Sequence, residues 1–301
     1  MMSLINALPG AVAQGLIWGI MAIGVYLTFR ILGIADLTVD GSLGTGGAVC
    51  IMLMLSGQNV WVAMAGATAA GMAAGLATGI LHTFMGIPAI LAGILTQLGL
   101  YSINLKTMGK ANQAINVDKY DLLVSLRFIR KVPFYKNTIL IVAIAIILLI
   151  VVLYWFFGTE LGCSLRATGC NDKMARAQGI NTDFNRVLGL MISNGLVALS
   201  GAMLCQYQGF ADINMGRGAI VIGLAAVIIG EAIFGKVFRN FGFKLLAVAL
   251  GSIIYYLVLQ VVIWLGIDTD LLKLLSAGVV AVFLAIPTWK SRYFSNMGKR
   301  G

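Results

Sequence analysis

The chain has 301 residues, 60% of them hydrophobic and 11% charged, with a net charge of +10. A soluble domain is about 45–50% apolar and about 25% charged, so a single water-borne globule is excluded and the partner is a lipid bilayer. The apolar runs reach the roughly 20 residues that a crossing helix needs, and they do not alternate as barrel strands do; the fold class is an all-α, polytopic helical bundle.

Nine spans are expected in chain order, at about 8–30, 41–57, 60–81, 86–104, 138–157, 188–209, 219–235, 243–266 and 271–287. The first nine residues carry no charged n-region, so the segment from Leu8 is expected to be a resident span rather than a cleaved signal. The second, seventh and ninth spans are short for a full crossing, and short, glycine-broken spans are where transporters place their pathways.

Between the first two spans, ILGIADLTVDGSLGTGG places Asp36 and Asp40 four residues apart, ahead of Gly41, Gly44, Gly46 and Gly47. A carboxylate near hydrocarbon is costly and marks either function or a buried partner. Two readings fit. Residues 34–44, with Thr38 among them, bend into the membrane and line a solute path, or they form a short cytoplasmic turn whose aspartates cap the next helix. In the third span Ala67, Gly71, Gly75 and Gly79 recur every four residues. Such a stripe lets another helix backbone approach closely, within the chain or across a subunit contact.

Gln97, Asn194, Gln206 and Gln260 lie inside spans. Each can contact a solute, or hydrogen-bond a neighbouring helix. Residues 105–137 form a polar loop that the span count places outside, although Lys106, Lys110, Lys119, Arg127, Arg130, Lys131 and Lys136 outnumber its two acids. The other loops obey the positive-inside rule. The cations after Pro287 put the C-terminus in the cytoplasm, residues 236–244 and 158–187 fall inside, Asp212 and Arg217 fall outside, and the N-terminus is outside. The +10 charge therefore sets topology, and nucleic acid is not a partner.

The cysteines (Cys50, Cys163, Cys170 and Cys205) and the single histidine, His82, lack metal-ligand spacing. Residues 230–237, GEAIFGKV, approach a P-loop but end in valine where Ser or Thr must hold magnesium, and no strand precedes them. No ATP site, metal, cofactor or catalytic residue is expected in this chain. An intramembrane enzyme would need a nucleophile and base that the spans do not offer.

Residues 161–180, LGCSLRATGCNDKMARAQGI, are the one organised polar stretch in the middle of the chain. They read as a loop, then a cap at Asn171 or Asp172, then about two turns of helix stopped by Gly179. Such a helix, held off the membrane, is either a knob for a groove on another protein or an ordinary loop helix.

The run LGCSLRATGCNDKMARAQGINTDFNRVLGLMISNGLVALSGAML resembles the permease subunits of bacterial ABC importers of the branched-chain amino acid and ribose class. Arg166, Gly169, Asn171, Ala175, Gly179, Ile180 and Gly201 stand at positions matching that family's pattern. The resemblance extends back to GIADLTVDGS and forward to VIIGEAIFG, where Glu231 stands in place of a second glycine, and it covers about residues 8–288. It implies a type II-like permease domain over residues 1–301 in a bacterial plasma membrane, paired with a second copy around a central path. Two cytoplasmic ATPase subunits would bind ATP below, and an extracytoplasmic binding protein would deliver the solute above. Residues 171–178 would be the coupling helix, docked through Met174 and Ala175, with Asn171 and Asp172 capping it and Arg166 and Arg176 steadying the loop or reaching acids across the contact. Ten-span members carry a helix ahead of the one matching residues 8–30. The implied solute is an amino acid, aromatic or branched-chain; a sugar or nucleoside is the alternative. An ion-coupled secondary transporter, which would show an inverted repeat with paired embedded charges, is a more distant one.

Overall fold

The computed structural model describes residues 2–117, 120, 122–126, 137–238 and 240–265, with scattered positions between 274 and 285. Helices α1 (Met2–Tyr26), α2 (Thr38–Leu55), α3 (Val60–Thr83), α4 (Ala89–Met108) and α5 (Thr138–Phe156) come first. Two short helices, α6 (Glu160–Cys170) and α7 (Asp172–Ala177), lead into α8 (Thr182–Gln208), α9 (Ala219–Phe234) and α10 (Phe241–Trp264). Among the described residues, seven helices are long and apolar enough to cross a membrane, and α9, at 16 residues, is shorter. The expected spans from 8–30 to 243–266 thus each have a helix; the ninth, 271–287, falls largely outside the described residues, as does the C-terminal tail.

Helix α8 is the axis of the bundle, and small residues set its neighbours' register. Ser193, Ser200 and Tyr207 donate to the carbonyls of Gly24, Ile17 and Gly10, so α8 runs antiparallel to α1. The stripe on α3 faces α8 as well: a Cβ on Gly71 would lie 2.3 Å from the Ala198 side chain, and one on Gly75 would lie 2.3 Å from the Leu190 carbonyl. Its close contact is inside the chain, which removes the subunit-contact reading of that stripe. Helix α2 meets α8 through glycines on both sides, Gly46 against Ala198 and Gly201 against Leu43. Gly41, Gly44, Gly46 and Gly47 therefore do not break a span. They sit within a continuous α2, where Gly41, Gly46 and Gly47 are close-packing positions.

Strands β1 (Asn112–Ala114) and β2 (Phe210–Asp212) pair antiparallel, with Asn112 opposite Asp212 and Ala114 opposite Phe210. This ties the segment after α4 to the segment after α8 on one end of the bundle. Helices α6 and α7 lie at the other end. The opening of the polar stretch differs from expectation, since residues 160–170 are helix rather than loop. Thr159 caps α6 by accepting from the Gly162 amide. Gly162 and Gly169, which look like loop punctuation, are contact positions: a Cβ would sit 2.3 Å from the Phe156 carbonyl oxygen in the first case and 1.7 Å from the Ile31 carbonyl oxygen in the second.

Candidate functional site

Helix α1 ends in a π-turn, Leu27–Ile31. The chain then reverses at Gly33, whose φ of 68° is in the left-handed region that glycine tolerates. Residues 32–37 climb back into the bundle, and α2 starts at Thr38. Its first turn lies beside Asn194, 12 residues into α8, or about 18 Å along that helix. The chain break is therefore real, but it spans residues 32–37 rather than 34–44.

Asp36 closes this break. It is 2% exposed; Oδ1 accepts from the Thr38 amide at 2.9 Å and Oδ2 accepts from Asn194 Nδ2 at 2.7 Å. Asn194 completes the network by donating to the Leu190 carbonyl and accepting from Ser42 at 2.6 Å. Thr38, Thr78 and Thr96 form a hydroxyl chain, 2.7 and 2.9 Å long, that binds α2 to α3 and α4. Every polar group here has a partner, as buried polar groups require.

Asp40 does a second job, which no local pattern could show. Its two oxygens accept from the amides of Gly218 and Ile220, each at 2.9 Å, at the start of α9. Helix α9 also begins partway through the bundle: Gly223 packs on Met21 and Val25 of α1, and Glu231 reaches Arg30 at 3.0 Å, so the two helices run parallel with α9 starting late. A helix N-terminus has unpaired amides and a positive dipole end. Asp36 and Asp40 answer that need for two interior helix starts. Asp36 serves the next helix, α2, as one reading expected, but inside the bundle rather than on a turn in water; Asp40 lies within α2 and serves the distant α9 instead.

A cavity of about 360 Å³ opens beside Asp40, between α2, α4 and the turn before α9. Asp40, Gln97, Tyr101, Asn104, Ile213 and Arg217 are among its walls. Of the residues expected on the path, Asp40 and Gln97 reach it. Asp36, Thr38 and Asn194 stay in the closed network behind it. Gln206 lies elsewhere, donating to Cys50 Sγ at 3.6 Å and accepting from the Leu123 amide at 3.2 Å. Tyr101, Asn104 and Arg217 were not anticipated in this role. The signal was present, because Gln97, Tyr101 and Asn104 stand at i, i+4 and i+7, one face of a helix.

At the opposite end, Asn171 caps α7 by accepting from the Met174 amide at 3.1 Å, and Gly179, with φ of 80°, ends the turn after it. Asp172 pairs with Arg186 at 3.1 Å, and Arg176 donates to Thr182 and Asp183 at 2.6 and 2.7 Å. Arg166 donates to the Phe157 carbonyl and lies over the Phe241 ring. Both arginines steady the loop from within. Met174 is 63% exposed, but Ala175 is 3% exposed. The expectation that Ala175 docks on a partner is therefore corrected: α7 turns that methyl into its own chain, and Met174 is the outward face.

The chain matches the family described as the permease component of branched-chain amino acid transport systems over residues 8–290. It belongs to that family. The permease is 38% identical to the tyrosine transport system permease protein of Clostridioides difficile, over 93% of this chain and 91% of that one. It is 28% identical to the fructose import permease protein FruF of Bifidobacterium longum, over 93% and 77%. The autoinducer 2 import system permease protein LsrC of Yersinia pestis is 30% identical, over 70% and 58%. The permease is thus a multi-pass membrane subunit of an ABC importer.

In this permease, Glu231 takes part in the Arg30 ion pair at the end of α9. The P-loop-like residues 230–237 begin in that same helix, with Gly230 packed on Ala247 of α10, so they do not form a phosphate-cradling loop after a strand.

Proposed function

We propose that this permease forms the solute pathway of a bacterial plasma-membrane importer for amino acids, aromatic or branched-chain. The observation that carries the reading is the pair of helices, α2 and α9, that start inside the bundle beside the cavity, each held by an aspartate. Irregular backbone at such depth is tolerated where it lines a cavity, and transporters build their solute sites from such interrupted helices.

In this reading two copies pair, ATP is bound by separate ATPase subunits, and this chain is not itself an enzyme. The end holding α6 and α7 is cytoplasmic, as the cations there favour, and the β1–β2 end meets a solute-loaded binding protein. Helix α7 and its exposed Met174 seat on the ATPase. Support for the solute class comes from the family's description and the relative named for tyrosine; relatives named for fructose and autoinducer 2 make a sugar-like solute the second reading.

Uptake by vesicles holding the permease, its ATPase and its binding protein tests this. Labelled tyrosine or leucine should accumulate only with ATP inside, and accumulation should survive collapse of ion gradients. Uptake that survives ATP depletion but not gradient collapse would refute the importer reading. Uptake of fructose in place of either amino acid would move the solute to the second reading.

A further inference from the structure

We propose that the cavity between α2, α4 and the turn before α9 is a carboxylate-selecting station, in which Arg217 receives the carboxylate of the passing solute and the Asn104 and Gln97 amides bind the polar groups beside it. The proposal rests on the importer reading and adds a chemical filter within the permease itself.

Buried polar side chains are almost always paired, and exceptions call for a reason. The network around Asp36 obeys that rule. On the cavity wall Asn104 departs from it, while Gln97 is half-buried and Tyr101 and Arg217 are exposed to the cavity side. Asn104 is 3% exposed, yet its amide makes no hydrogen bond with any described residue. Tyr101 and Gln97, one and two helical turns away on the same face of α4, also have no side-chain partner among the described residues, and neither does Arg217. These four unpaired polar groups converge on one space.

The charges in that space are unequal in availability. Asp40 is engaged by two amides of α9 and by the positive end of that helix. Arg217 has no carboxylate within ion-pair reach among the described residues, so the cavity presents one free cation and several neutral donors. A guanidinium offers a planar fork of N–H groups that matches a carboxylate. A neutral sugar would leave that charge unmatched. Leu98, 63% exposed, and Ile213 supply an apolar wall for the rest of the solute. The volume of about 360 Å³ sits near the lower end of small-molecule sites. Ile213 donates to the Ala111 carbonyl beside the β1–β2 pair, so the station lies between that end of the bundle and the two capped helix starts.

The test has two arms. In vesicles with the full complex, Arg217→Gln should lower tyrosine uptake about tenfold or more, the effect of losing one charge-assisted contact, while Arg217→Lys retains part of it. A pull-down confirms that each variant still captures the binding protein. In the second arm, Leu98→Cys is introduced with Cys163→Ser and Cys170→Ser, since both native thiols are exposed. Labelling of the new thiol is followed in the permease–ATPase complex without binding protein. Tyrosine and 3-(4-hydroxyphenyl)propionate should slow it, tyramine and fructose should not, and Arg217→Gln should abolish the protection. Wild-type uptake by Arg217→Gln, or protection by tyramine equal to that by tyrosine, overturns the proposal. If the wild-type complex imports no amino acid while carboxylates still protect through Arg217, the station stands and the amino acid reading falls.

Discussion

Asp40 gives the sharpest test of how the interior helix starts are held. Its carboxylate accepts two amide hydrogen bonds at 2.9 Å, from Gly218 and Ile220. Hydrogen bonds to a charged group are worth about 1.5–3 kcal/mol each, and a lost N-cap costs about 0.5–2 kcal/mol. The two descriptions overlap and do not add. Asp40 also borders the cavity, so water can reach the freed amides and recover part of the loss. Asp40→Ala should therefore destabilise the permease by about 2–4 kcal/mol. Asp40→Asn keeps one acceptor oxygen and should cost about half as much. The readout is local. Hydrogen exchange at amides 218–222 in the purified complex should rise strongly in Asp40→Ala and less in Asp40→Asn, and the melting temperature should fall in the same order. If those amides stay as protected as in wild type and stability moves by less than about 0.5 kcal/mol, the size of an ordinary surface substitution, the capping account is wrong.

Gly169→Ala places a methyl where the Ile31 carbonyl now sits; the overpacking should cost about 1–3 kcal/mol and reduce ATP-driven uptake more than ATPase assembly, as read by melting and vesicle assays. Met174→Glu, on the exposed face of α7, should leave melting unchanged and lower ATPase copurification, whereas Ala175→Glu, on the buried face, should lower melting of the permease itself. Glu231→Gln removes an ion pair whose side chains are 60% and 34% exposed without a helix-propensity cost, so stability should change by less than about 1 kcal/mol in a thermal melt.

The spans were legible because hydrocarbon demands long apolar runs, and a run that long has few other uses. The interrupted region was legible from two aspartates that hydrocarbon would not keep without purpose. What each aspartate does was not. The partners of Asp40 are 178 and 180 residues away, and no local spacing shows which segment folds back against a carboxylate. Glycines misled for a related reason. Turn chemistry and close packing both call for the missing Cβ, so Gly41, Gly44, Gly46 and Gly47 read as a break until their neighbours were known. Ala175 failed differently: six residues of α7 give too few turns to separate an inner from an outer face. On α4 the face was readable, but Gln97 drew notice singly, and the stripe it shares with Tyr101 and Asn104 went unused.

The loop end of the molecule meets the chain break at two glycine contacts. Helix α7 is tied to the start of α8 by Arg176 and by the Asp172–Arg186 pair, and α6 is tied to α8 by Asn185, which donates to Thr168 at 2.9 Å. These bonds make α6, α7 and the first turns of α8 one block. That block touches the chain break where Gly169 lies against Ile31, at the end of the π-turn, and where Gly189 lies against Leu32. π-turns recur at functional sites, and beyond Ile34, whose amide still bonds back to the Thr28 carbonyl, the backbone to Asp36 leaves the helical ladder. A push on Met174 would therefore meet stiff structure until it reached Ile31. There it would act on the six residues that carry Asp36, and through α2 on Asp40, the start of α9 and the cavity wall. A side chain at Gly169 would hold that contact apart, which is why the smallest possible substitution at this position discriminates between a transmitting contact and a passive one.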